Sequence, residues 1–220
     1  YDGYDFKVFE NAAGDSSSIS GDHVTSIYED SKGYLWIGTT NGLNRLQKNG
    51  DRFDRFYHQS SDFKSLASNV IIKIFGIGEQ LWIATGDGTL HLWESESANF
   101  LRVATAQGVN LSDISFDSSQ IWVSMKDAGG LSVFDIESGR FISHEISELT
   151  KNFRVLSTHL TRESLWIGTA NGLYRYREGS GRLESLEDIA PEQGHIKYKS
   201  KRFFEIYESR NGEIWLGTDG

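Results

Sequence analysis

The sequence predicts an all-β chain, a β-propeller assembled from four-stranded antiparallel blades. Three observations predict it. A tryptophan-centred pentapeptide recurs five times, turn signals follow most copies, and short apolar segments keep the same step. The copies are Leu35-Trp36-Ile37-Gly38-Thr39, Leu81-Trp82-Ile83-Ala84-Thr85, Ile121-Trp122-Val123-Ser124-Met125, Leu165-Trp166-Ile167-Gly168-Thr169 and Ile214-Trp215-Leu216-Gly217-Thr218. Their tryptophans stand 46, 40, 44 and 49 residues apart. Four short strands repeating every ~40–50 residues describe a propeller blade, whereas a leucine-rich repeat is about half that length. Helical repeats would show an apolar period near 3.6, which no unit has.

Each element follows from local chemistry. The first strand precedes the tryptophan and is clearest in Val24–Glu29 and Phe203–Glu208, where β-branched and aromatic residues dominate. The second strand carries the tryptophan. Asn41-Gly42, Asp87-Gly88, Gly129-Gly130 and Asn171-Gly172 then predict two-residue hairpins, since these pairs tolerate positive φ. The third strand is Leu43–Leu46, Leu90–Trp93, Leu131–Phe134 or Leu173–Tyr176. An outer segment closes the unit, marked by Phe53 and Phe56, Phe100 and Val103, Phe141, or Leu183 and Leu186, with Phe6 and Phe9 as the same pair near the start.

Counted from those outer markers, the units are 6–52, 53–99, 100–140, 141–182 and 183–220: four complete repeats and a partial fifth in one propeller over 1–220. The fifth lacks its third strand, and Tyr4–Phe9 could supply its fourth. The chain therefore reads as a slice of a larger propeller with an open blade edge, and an open edge invites pairing with a second copy. A lone twisted sheet cannot bury both faces, so Trp36, Trp82, Trp122, Trp166 and Trp215 are expected at blade-to-blade contacts. The small Gly, Ala or Ser two positions later keeps the next layer close. Trp93, outside the pattern, is expected to pack in its own strand.

Composition removes several classes of function. At 220 residues and 38% hydrophobic the chain can bury a sizeable core. Lys and Arg total 22 against 31 Asp and Glu, a net charge of -9, which disfavours nucleic acid as a partner. No apolar run approaches the ~18 residues of a membrane helix. The absence of cysteine excludes disulfides, thiolate metal sites and a cysteine nucleophile. His23, His58, His91, His144, His159 and His195 are scattered, with no metal-ligand spacing. Asp30-Ser31-Lys32-Gly33 lacks the alternating oxygens of a calcium loop and reads as a turn. Asp30 through Trp36 resembles the Asp-box of sialidase-type propellers, itself a structural turn. No catalytic residue, cofactor or metal is expected, and a glycosidase or lyase is the least favoured reading. The chain begins at Tyr1, which reads as a fragment or a processed chain.

In a propeller the first strand of every blade lines the central channel. Aligning the units places Asp22, His23, Asn69, Asn110, Asp113, Lys201 and Arg202 at its mouth. Such a polar rim on a rigid scaffold suits a small polar ligand such as an oligosaccharide. The basic run Lys197-Tyr198-Lys199-Ser200-Lys201-Arg202 reads as a solvated loop entering the fifth unit.

The run Asp22-His23-Val24 through Glu29-Asp30-Ser31-Lys32-Gly33-Tyr34-Leu35-Trp36-Ile37-Gly38-Thr39-Thr40-Asn41-Gly42-Leu43 resembles the two-component-regulator propeller repeat. Ser65–Val70 resembles the linker entering the next repeat, and Ile206–Trp215 matches the first copy in spacing. The second and third units depart from the pattern, with Ala84 and Ser124 in place of the motif glycine. The resemblance implies the periplasmic sensory part of a bacterial hybrid histidine kinase, or of a related diguanylate cyclase sensor. It implies no chemistry in this segment, a ligand that is a glycan or other small polar molecule, and a membrane reached only through other parts of the parent chain. The competing reading is a non-catalytic interaction or dimerisation scaffold.

Overall fold

The computed structural model describes residues 6–48, 50–106, 110–127, 129–189 and 202–219. The chain divides into two compact units, Tyr1–Thr105 and Ala106–Gly220. The first holds two antiparallel sheets in the strand orders β1-β2-β3-β4 and β5-β6-β7-β8. Their strands are β1 (Val24–Glu29), β2 (Leu35–Thr39), β3 (Gly42–Leu46), β4 (Phe53–Phe56), β5 (Ile71–Ile77), β6 (Gln80–Thr85), β7 (Thr89–Glu94) and β8 (Asn99–Thr105).

The second unit holds two more four-stranded sheets and a hairpin. The third sheet comprises β9 (Leu111–Phe116), β10 (Gln120–Met125), β11 (Leu131–Asp135) and β12 (Arg140–Ile142), followed by helix α1 (Glu145–Thr150). The fourth comprises β13 (Val155–Leu160), β14 (Leu165–Thr169), β15 (Leu173–Tyr176) and β16 (Leu183–Ser185), followed by the short α2 (Leu186–Ile189). The hairpin pairs β17 (Phe203–Glu208) with β18 (Ile214–Thr218). Counting from the first strand keeps every sheet whole; counting from the outer segment parts each four-stranded sheet at or near the start of its fourth strand.

The five sheets repeat one register. Tyr28, Phe75, Ser115, His159 and Tyr207 lie opposite Trp36, Trp82, Trp122, Trp166 and Trp215. Every first strand is irregular at the same rung, between Val24 and Ser26, Ile71 and Lys73, Leu111 and Asp113, Val155 and Ser157, and Phe203 and Glu205. A bulge repeated at one rung adds twist at one place in each sheet, as stacked, twisted blades require.

Three of the five motif tryptophans, Trp36, Trp122 and Trp166, pack at junctions inside a unit. Trp36, in the first sheet, is fully buried among Ile71, Ile74, Leu81 and Ile83 of the second. Trp93 lies against it and Phe56, with ring centroids 5.0 and 5.2 Å apart, so Trp93 packs across the junction. Trp122 joins Val155, Leu165 and Ile167 of the fourth sheet. Trp166 packs on the cluster of Leu173, Phe203 and Ile206. Trp215, on the two-stranded hairpin, remains 62% exposed.

The motif glycine permits this closeness. A Cβ on Gly38 would stand 2.5 Å from Cγ2 of Ile71 in the next sheet. The turns differ from the two-residue primed hairpins expected. Among the described residues, only Ala98 and Asn110 are non-glycine residues with positive φ, so Asn41, Asp87 and Asn171 are not left-handed. In each pair the positive φ falls on the second residue, as at Gly42, Gly88 and Gly130. The strand-end threonine stabilises the turn instead: Thr39 Oγ1 accepts from Asn41 N at 3.0 Å and donates to Gly42 O at 3.0 Å, and Thr169 repeats this with Asn171 and Gly172.

Two outer segments also differ from expectation. Residues 6–9 form no strand; Phe9 packs edge-on against Phe53 at 5.2 Å and Lys7 pairs with Asp51, so this segment belongs to the first sheet's outer flank. Tyr4 lies outside the described residues. Leu186 opens α2 rather than extending a strand. Helix α1, unforeseen, buries Ile146 and turns Leu149 toward the cluster of Trp122 and Val133, and Phe153 packs on the same cluster just beyond the helix end.

Candidate functional site

The polar residues at the first-strand entrances do two kinds of work. In the first unit, Asn69 Oδ1 accepts from His58 N at 2.7 Å, and Asn69 O accepts from Gly42 N of the neighbouring sheet at 2.7 Å. Asp22 and His23 are exposed; Asp22 accepts from Asn11 N at 2.7 Å, and the His23 carbonyl accepts from Thr40 N at 3.1 Å. In the second unit, Asp113 Oδ2 accepts from Thr158 N at 2.8 Å. Asn110 is held left-handed at φ 83 and donates to Asp127 at 3.0 Å. Arg202 lies 3.7 Å from Asp219 and over the Phe204 ring. Lys201 and the rest of the basic run lie outside the described residues. Within their units the side chains of Asp22, Asn69, Asn110, Asp113 and Arg202 meet scaffold partners, whereas His23 contributes its carbonyl.

The same chemistry holds neighbouring sheets. Ser26 Oγ accepts from Ile74 N at 3.0 Å, on the rung where Asp113 accepts from Thr158 N. Ser112 and Ser157 donate to Val155 O and Phe203 O of the following sheet. First strands lie at a sheet edge and leave backbone groups without ladder partners, and neighbouring side chains satisfy them.

A second set of clamps ties the incoming linkers. Asn44 donates to Ile37 O at 3.0 Å and accepts from Ser20 N at 2.8 Å. His91 stands on the equivalent rung, with Nδ1 3.3 Å from Ile83 O and Nε2 accepting from Ala67 N at 3.0 Å. That geometry requires a neutral ring protonated on Nδ1. Burial holds its pKa down, to about 4 from 6.5, against the opposing pull of the Ile83 carbonyl. Neither residue was singled out from sequence as a clamp, although His91 is a polar interruption between Leu90 and Leu92 and Asn44 follows Leu43 in the third strand.

Two clefts open on the sheets. In the first unit, a cavity of about 380 Å³ lies between the Asp30–Tyr34 turn and the second sheet. Asp30 builds its wall: Oδ1 accepts from Lys32 N and Tyr34 N, both at 2.9 Å, and Oδ2 accepts from Trp36 Nε1 at 2.8 Å. The Asp-box resemblance thus describes a locked turn. In the second unit, a cavity of about 250 Å³ is lined by Trp122, His144, Arg162 and Tyr176. Tyr176 donates to Glu145 Oε1 at 2.5 Å. Burial, then that carboxylate, push the phenol's pKa upward, and the phenol's hydrogen bond draws Glu145 downward. Among the described residues, no group of three His, Asp or Glu is placed to hold a metal ion. No helix among them is long and apolar enough to cross a membrane.

Known proteins share this geometry. Residues 18–41 match the two component regulator propeller family. Histidine kinase P4 of Formosa agariphila is 30% identical over 195 residues, covering 83% of this chain and 14% of its own length. Two crystal structures of extracellular domains from B. thetaiotaomicron hybrid two component systems superpose with TM-scores of 0.74 and 0.72 at 23% and 22% identity. They cover 91% and 90% of this chain, which spans 28% and 26% of theirs. At that identity the likeness establishes the fold.

Proposed function

Starting from a chain that carries the two-component regulator propeller repeat, we propose that it is the extracytoplasmic, periplasmic sensory segment of a bacterial two-component receptor. It binds a glycan or other small polar ligand and performs no catalysis itself. The observation that carries this reading is the superposition, over 91% of the chain, on the extracellular domain of a hybrid two component system. The rigid, side-chain-clamped sheets and their polar clefts support it, because a receptor needs a preformed surface whose affinity differs between two signalling states. Calorimetry against neutral and acidic oligosaccharides, amino acids and dicarboxylates tests it. A saturable heat with at least one class is expected; no heat with any class overturns the ligand claim.

A second reading rests on the fifth hairpin, where Phe204, Tyr207 and Trp215 are all exposed. Such a patch suits an interaction scaffold. Concentration-dependent association in sedimentation, abolished by Trp215→Ser, would favour it.

A further inference from the structure

We propose that the cleft between the first two sheets is a binding site for a neutral pyranose unit of an oligosaccharide. This rests on the sensory reading and moves the ligand away from the first-strand entrances, where Asn69 and Asp113 accept backbone N–H groups of the scaffold.

A pyranose presents two chemically distinct surfaces. Its C–H face is apolar and stacks on aromatic rings; its hydroxyl edge both gives and takes hydrogen bonds. The cleft offers both. Tyr34 and Trp93, each half-buried, line it from the first and second sheets. Lys32 and Arg45 supply donors, and Glu79 and Glu96 supply acceptors. The volume, about 380 Å³, falls within the roughly 300–1,000 Å³ of small-ligand pockets.

The donors are preorganised. The Arg45 guanidinium centre lies 5.0 Å from the Tyr34 ring, 5.5 Å from Trp36, 5.9 Å from Phe56 and 5.8 Å from Trp93. Its Nε and Nη2 donate to Asp54 Oδ2 at 3.2 and 2.8 Å. Among the described residues Nη1 makes no hydrogen bond, while four rings and a carboxylate hold the plane still. Lys32 Nζ donates to Ser95 Oγ at 3.0 Å, spanning the cleft from one sheet to the other. Holding these groups before binding spares their ordering entropy.

Charge selects the ligand class. Asp30 is committed to its turn, Asp54 answers Arg45 and Lys48 Nζ lies over the Tyr34 ring at 4.9 Å, so the charged groups at the cleft are Lys32, Arg45 and Lys48 against Glu79 and Glu96. The two glutamates are exposed and enter no ion pair among the described residues. Two carboxylates at the rim repel a uronate, sulfate or phosphate, whereas neutral hydroxyls can donate to them.

The test is calorimetry on the intact chain with neutral gluco-, manno- and xylo-oligosaccharides of three to six units, and with oligogalacturonides as the acidic arm. Glu79→Gln with Glu96→Gln, and separately Lys32→Ala, change exposed side chains, and their melting curves control for folding. His23→Ala probes the first-strand entrance. We expect a neutral sugar to bind, with affinity reduced at least tenfold in both cleft variants and unchanged in His23→Ala. Neutral binding weakened by His23→Ala and untouched in the cleft variants would overturn this site and leave the sensory reading standing. Binding of the acidic arm alone would overturn the ligand class. Silence with every sugar, beside a saturable heat from an amino acid or dicarboxylate, would overturn the cleft as a sugar site while sparing the receptor.

Discussion

The first and second sheets share a register and differ in what fills it. In the first, Trp36, Arg45 and Asp54 form a cross-strand ladder of ring, cation and carboxylate. In the second, the same rung reads Trp82, Leu92 and Leu101. The first clamps its linker with Asn44, the second with His91. The difference teaches that the blade geometry tolerates either an apolar or a charge-paired layer on one face. It also gives the second sheet a titratable clamp that the first lacks.

The largest effect expected concerns the tryptophans. Trp36→Ala should destabilise the chain by about 3–5 kcal/mol, because it empties a fully buried site between sheets. Trp215→Ala, on the exposed hairpin, should cost less than about 1 kcal/mol. Denaturant unfolding separates the two, and equal losses would refute the assignment of the motif tryptophan to junctions.

Next comes the clamp. Burial lowers the His91 pKa to about 4, below the 6.5 of the unfolded chain, so the unfolded chain takes up the proton first. The stability carried by the neutral ring is complete above pH 6.5 and is lost as pH falls toward 4, at most about 3 kcal/mol. His91→Asn copies the first sheet's clamp and should flatten unfolding free energy across that window. An unchanged pH profile would show that the ring is not held neutral.

Gly38→Ala should cost about 1–3 kcal/mol, since the new methyl meets Ile71 at 2.5 Å. Ala84 already carries a methyl on the same rung of the second sheet. A melting temperature equal to that of the parent would mean that the two sheets part more easily than their packing suggests.

The smallest effect concerns the ladder. Burial raises the Asp54 pKa, but hydrogen bonds from Gln47 and Arg45 outweigh it and hold the carboxyl below its ordinary value. Both side chains remain partly exposed, so solvent screens the pair. Arg45→Leu with Asp54→Leu, which writes the second sheet's ladder into the first, should shift stability by no more than about 1 kcal/mol. A larger loss would mark the ion pair as structural.

Legibility followed the range of the interactions. The strands, their order and the tryptophan register were readable because each depends on neighbours within a unit, repeated five times. Trp93 was read as packing and lies against Trp36. The turns were misread because Asn-Gly suits both a primed turn and a turn closed by a left-handed glycine, and Thr39 decides between them. Helix α1 was missed because Ile146 and Leu149 alone give little pattern against a background of strands. Asp113, placed at an entrance from alignment, turns to Thr158 of the next sheet. Its partner lies 45 residues away, beyond the reach of local pattern.

The sequence alone determined that the chain builds a series of similar sheets, because a period of hydrophobic and turn residues is a local instruction copied along it. Only the tertiary structure decided which polar side chains hold sheets together and which face a cleft. Lys32 and Ser95, or Tyr34 and Trp93, meet only because neighbouring sheets pack, and such distances are set by the summed burial of both sheets, not by any one segment of chain.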